Sequence, residues 1–161
     1  MWFVTHYLSN RRSTPKPRFY ALGLVAVLAV MLPTMTTFAA LITTDRYIVR
    51  AGETVAEDQY VTSTSAFVEG VIDGDLTIFS GSVTITGDIL GSVTVFTVGS
   101  VTVADGARIG GSLRGTAGTL RVAGTVESDV FVAAASVIIE PSGRVGRDVM
   151  GFGGGLTVAG D

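Results

Sequence analysis

Apolar residues recur at a fixed period over about two-thirds of this chain, and the period predicts its architecture. Residues 83–100 (VTITGDILGSVTVFTVGS) show it most clearly. Residues 120–136 (LRVAGTVESDVFVAAAS) are apolar at the same positions, carry Gly at the same position and end on Ser. From Tyr47 the chain divides into six windings: 47–65, 66–82, 83–100, 101–119, 120–136 and 137–155. A seventh begins at Leu156. The first column of these windings is Tyr47, Ala66, Val83, Val101, Leu120, Val137 and Leu156. Two residues on stand Val49, Val68, Ile85, Val103, Val122, Ile139 and Val158. Spacing of i, i+2 is strand periodicity with one face inward.

A glycine follows in every winding: Gly52, Gly70, Gly87, Gly106, Gly124, Gly143 and Gly160. Glycine suits a corner that needs positive φ or a close backbone approach. One apolar position comes next (Ile72, Ile89, Ile109), then a second i, i+2 pair such as Leu76/Ile78 or Val93/Val95. The 19-residue windings carry their extra residues beside the glycine, as in Ala104-Asp105-Gly106, where an insertion leaves the strands in register. No winding can bury its apolar residues alone, so the windings must stack. The predicted fold is all-β: a single-stranded right-handed β-helix (β-solenoid) of about six windings, preceded by one N-terminal apolar helix. Six windings at a strand spacing of about 4.8 Å make a rod roughly 29 Å long. A left-handed hexapeptide solenoid is the competing geometry, and uneven winding lengths with corner insertions argue against its strict triangle.

The polar positions form columns too. Asp58, Asp75, Ser92, Ser112, Asp129 and Asp148 precede the second strand pair. Stacked carboxylates suit a cation site or an acid–base pair, but Ser exchanges with Asp between windings, and a hydroxyl could not replace a catalytic carboxylate. The column is therefore expected to cap turns, each side chain accepting from a backbone N–H two residues on. Phe79, Phe96, Phe131 and Phe152 are expected to share another column with Thr62 and Thr116. Those rings either fill a solenoid corner or point outward as a stripe that drives lateral association.

Charge divides the chain unequally. Residues 1–44 hold Arg11, Arg12, Lys16 and Arg18 and no acid, while residues 45–161 hold fourteen acids against seven arginines, a balance of −7. A lysine-free acidic body lacks the basic footprint that nucleic-acid binding requires. Residues 1–18 form a basic polar lead, and residues 19–32 (FYALGLVAVLAVML) an uninterrupted apolar run. With small residues at Ala39-Ala40, this is the layout of a secretory signal peptide. Read through to Ile42, residues 19–42 are long enough to cross about 30 Å of hydrocarbon as a membrane anchor; a buried core helix is the third reading. Under the first two, the basic lead stays cytoplasmic and residues 43–161 are on the extracytoplasmic side, at the membrane or cell envelope.

Chemistry has few candidates. Cysteine is absent and the single histidine, His6, lies outside the repeat, which removes the histidine base of solenoid acyltransferases. The glycine run 151–155 has Leu156-Thr157 where a calcium-binding β-roll needs Asp. No P-loop, dinucleotide fingerprint or Ser-His-Asp set occurs. No enzyme activity, catalytic residue, metal, cofactor or small-molecule substrate is expected.

The windings VEGVIDGDLTIFSGSVTITGDILGSVTVF and VAGTVESDVFVAAASVIIEPSGRVGRDV resemble those of the bactofilins and related polymer-forming cytoskeletal proteins. The shared pattern is apolar-x-apolar-x-Gly-x-apolar followed by Gly-Asp-apolar. The resemblance implies a right-handed β-helix without a nucleotide cofactor that self-associates end to end into a scaffold for membrane-associated processes. Typical bactofilins are cytoplasmic, whereas this chain opens with an export or anchoring segment. It also stops inside a winding without the polar cap of a solenoid end, which is read as an incomplete gene model in preference to an open polymerisation surface. A secreted monomeric binding or adhesion module using one flat face is the alternative.

Overall fold

A computed structural model describes residues 41–160, and the apolar helix expected before the repeat lies outside them. The described residues form a parallel β-solenoid of about seven turns and contain no helix. In chain order the strands are β1 (Leu41–Val49), β2 (Thr54–Val55), β3 (Gln59–Val68), β4 (Val71–Ile72), β5 (Leu76–Ile85), β6 (Asp88–Ile89) and β7 (Val93–Phe96). They continue as β8 (Ser100–Val103), β9 (Arg108–Ile109), β10 (Leu113–Val122), β11 (Thr125–Val126), β12 (Val130–Ile139), β13 (Arg144–Val145) and β14 (Val149–Val158). The long strands stack in the order β1, β3, β5, β7 with β8, β10, β12, β14. The two-residue strands stack separately as β2, β4, β6, β9, β11, β13. Every pairing is parallel, and Ile72 aligned with Ile89 and Ile89 with Ile109 are typical of the register.

Each long strand changes inward phase at its middle. In β5, Leu76, Ile78 and Ser80 are buried, then Val83 and Ile85, so Gly81 and Ser82 turn the chain between two arms. The short strand is the third side of the turn. Between the sides the core is almost wholly aliphatic: Ile72, Leu76, Ile78, Ile85, Ile89, Ile109, Leu113 and Leu120 are each 0% exposed. Full burial of one such side chain is worth about 1.5–3 kcal/mol. Parallel strands buried on one face explain the Val/Ile wealth of the inward columns.

Two expectations change here. The turns number about seven because Leu41–Ile42 and the residues up to Arg46, which precede the repeat as read from Tyr47, already pair with β3 in register Leu41↔Tyr60 and Arg46↔Ser65. Leu41 and Ile42 thus belong to the solenoid, and the rest of the segment 19–42 lies outside the described residues.

The glycine column is two columns. The carbonyls of Glu53, Gly70, Gly87, Ala107 and Gly124 accept from Val71, Asp88, Arg108, Thr125 and Arg144 in the winding above. The stacked corner position is therefore Glu53, Gly70, Gly87, Ala107, Gly124 and Gly143. Gly160 is next, since a Cβ there would lie 2.2 Å from the Gly143 carbonyl oxygen. Gly52 and Gly106 sit one residue earlier, inside the β-turns closed by Glu53 N–H to Arg50 O (2.9 Å) and Ala107 N–H to Ala104 O (3.1 Å). Their φ of +81° and +80° is the positive φ that a type II turn requires at its third residue. Spacing read from a one-dimensional sequence merges the two glycine roles because they are adjacent.

The 18-residue winding, 83–100, is built differently from the 19-residue ones. Its extra residue is at the other corner, where Val98, 94% exposed, separates β7 from β8. Thr97 holds that detour, its hydroxyl donating to Gly81 O (2.8 Å) and accepting from Gly99 N–H (3.0 Å).

Candidate functional site

The column of Asp58, Asp75, Ser92, Ser112, Asp129 and Asp148 follows the corner after each short strand, and its bonds run between windings. Asp58 Oδ1 accepts from Asp75 N–H at 2.8 Å, Asp75 Oδ1 from Ser92 N–H at 2.7 Å, and Ser92 Oγ from Ser112 N–H at 3.2 Å. Returning bonds go the other way: Gln59 N–H donates to Asp75 O (2.8 Å), Leu76 N–H to Ser92 O (2.9 Å) and Val93 N–H to Ser112 O (2.8 Å). Each side chain thus completes a two-bond clamp between consecutive windings. The capping expected two residues along the chain is replaced by capping one winding up, because stacking places that N–H within reach.

Space for the clamp comes from the preceding residue. A Cβ on Gly91 would lie 2.3 Å from Asp75 Oδ1, and one on Gly111 2.2 Å from Ser92 Oγ. The glycines let the lower side chain come in under the backbone, which gives the Gly-Asp/Ser pairs 74–75, 91–92 and 111–112 a steric reason. Where the preceding residue is Arg147, the bond from Asp148 N–H to Asp129 Oδ1 lengthens to 3.4 Å. Ser112, with Ser128 ahead of Asp129, instead has its hydroxyl turned to Arg114 Nη2 at 3.3 Å. These contacts tie neighbouring windings together at the corner.

The phenylalanines face outward. Phe79, Phe96, Phe131 and Phe152 are 50%, 37%, 45% and 55% exposed, which excludes a filled corner. They also divide into two columns. Register aligns Thr62, Phe79, Phe96, Thr116, Ala133 and Phe152. Phe131 stands two residues earlier, in line with Tyr60, Thr77, Thr94, Arg114 and Met150. Phe79 and Phe96 stack at 4.7 Å between ring centroids, and Phe131 meets Phe152 edge-on at 5.4 Å. Both geometries are favourable for aromatic quadrupoles. Near the second pair, Arg114, Asp129, Phe131, Asp148 and Met150 line an open cleft.

No protein-family model, curated protein or solved structure matches this chain. Its own geometry carries the functional argument.

Three further polar features had no sequence signal beyond their one-winding spacing. Arg108 pairs with Glu127 and Arg121 with Glu140, each bridging neighbouring windings at the surface. Exposed pairs of this kind contribute about 0–1 kcal/mol each. In the first turn Gln59 takes the place held above it by Leu76, Val93 and Leu113, and its Oε1 accepts from the Tyr47 hydroxyl at 3.1 Å. Gln59 Nε2 donates to Glu57 O and Asp58 O, so the buried pair is satisfied. Burial, with Glu53 nearby, pushes the Tyr47 hydroxyl up to about 12. Among the described residues no group of three His, Asp or Glu comes together as a metal site.

Proposed function

We propose that this chain is a non-enzymatic, bactofilin-like scaffold at the membrane or cell envelope: a right-handed β-helix on the extracytoplasmic side, tethered through the apolar segment that precedes Leu41 and self-associating end to end. The observation that carries the reading is the unbroken parallel ladder of stacked, near-identical turns. A ladder of this kind is extended by pairing with a further strand, which is β-augmentation. The interchangeable winding positions support the same reading, since Asp75 and Ser92 do the same work and a scaffold needs repetition where an enzyme needs unique residues.

Negative-stain electron microscopy of the full chain in detergent tests the proposal. Filaments that lengthen with protein concentration are expected. Monodisperse rods at high concentration would overturn it and leave the secreted monomeric binding module.

A further inference from the structure

One lateral face of the solenoid differs in chemistry from the rest. It is the outward side of the first arm of each long strand, and it presents Leu41, Tyr60, Phe79, Phe96, Phe131 and Phe152 along the rod. Met150 and six small or hydroxyl residues (Thr43, Thr62, Thr77, Thr94, Thr116 and Ala133) fill in between. Like the outward side of the second arms, this face carries no acid on a body whose balance is −7, so its rings are what set it apart, and Arg114 is its one cation. Contiguous exposed apolar stripes of this kind mark interaction surfaces.

The occupant follows from size, charge and chain connection. Seven strands at about 4.8 Å and four residues at about 3.3 Å give a face of roughly 29 by 13 Å. That is near 400 Å², about half of the roughly 800 Å² per partner that a specific protein interface buries, so a second copy docked here is under-supported. A bilayer has no such threshold, because each ring enters the headgroup region independently. The carboxylates of Asp58, Asp75, Asp129 and Asp148 run along one edge of the face and disfavour an anionic surface. A zwitterionic headgroup fits better: Arg114 suits its phosphate, and Asp129, Asp148 and the face of Phe131, lining one cleft, suit its ammonium. Leu41, at the head of the stripe, follows the apolar run of residues 19–32 in the sequence.

We infer that this aromatic face lies on a zwitterionic phospholipid surface, with the rod axis parallel to the membrane. The inference rests on no end-to-end assembly, and rods that never polymerise would still lie down on lipid.

A chain without cysteine permits a clean test. Thr62→Cys and Thr116→Cys place an environment-sensitive fluorophore on the face, and Asp105→Cys places one at the corner between the other two sides. The labelled full-length variants are reconstituted in phosphatidylcholine vesicles containing nitroxide-bearing lipid. Blue-shifted emission and loss of intensity are expected at positions 62 and 116, with neither at 105. Adding Phe79→Ser and Phe96→Ser should return position 62 to the emission seen at 105 while leaving the circular-dichroism melt in place. Equal quenching at all three positions would overturn the inference. So would a blue shift at 62 and 116 that persists in detergent and disappears on dilution, the signature of a second copy.

Discussion

Asp75 shows how a single side chain acts here. Its Oδ1 lies 2.7 Å from Ser92 N–H, an amide that the parallel ladder leaves unpaired at the corner. Asp75→Ala removes that acceptor and should destabilise the fold by about 1 kcal/mol, whereas Asp75→Ser should cost less, because Ser92 Oγ serves Ser112 in the same way. Ser92→Asp should be nearly silent in a urea titration. Gly91→Ala should cost more than any of these, about 1–3 kcal/mol, since its Cβ would fall 2.5 Å from the Gly74 carbonyl oxygen as well as against Asp75. Tyr47 supplies a pH signature. Its hydroxyl is raised from an ordinary value of about 10 to about 12, so the fold favours the neutral form. That contribution is complete below pH 10 and is lost as pH rises through about 12. Alkaline denaturation of the native chain should therefore show a stability loss over this window, and Tyr47→Phe should remove it at the cost of leaving Gln59 Oε1 short of a donor.

At the scale of the element, the winding is the unit and its corners are where length varies. Deleting Pro141-Ser142 leaves Ile139-Glu140-Gly143-Arg144-Val145, which reproduces the tight corner Val68-Glu69-Gly70-Val71-Ile72. The deleted chain should keep its strand signal and melt close to the parent in circular dichroism; loss of the signal would contradict the winding alignment. Ile89→Asp, by contrast, buries an unpaired charge in a side that is 0% exposed and should unfold the solenoid. The winding was legible in the sequence because inward residues obey a two-residue period and are, Gln59 and a few corner hydroxyls apart, aliphatic. Corner identity was less legible. Gly106 and Gly87 look equivalent in spacing, yet one answers a turn's positive φ and the other a close approach, and only hydrogen-bond partners separate them. Phe131 was assigned to the wrong outward column for a related reason: outward positions carry no packing constraint, so Thr, Ala, Arg and Phe alternate there freely. The destination of the Asp/Ser bonds was illegible too, because an N–H two residues along the chain and one seventeen residues along it are indistinguishable until the windings are stacked.

At the largest scale the described residues are a stack of near-identical turns whose differences lie on their surfaces. Its inward columns are aliphatic, its corners are clamped by Asp, Ser and Gly, and one side carries the aromatic stripe. The proposed scaffold role places the repeat axis along a filament, with each copy continuing the ladder of the last. Electron diffraction from aligned filaments of the full chain reads this directly. The account predicts a strong meridional reflection at about 4.8 Å, the spacing between stacked windings along the filament axis. Filaments whose 4.8 Å reflection falls on the equator, or a preparation that forms no filament at all, would contradict it.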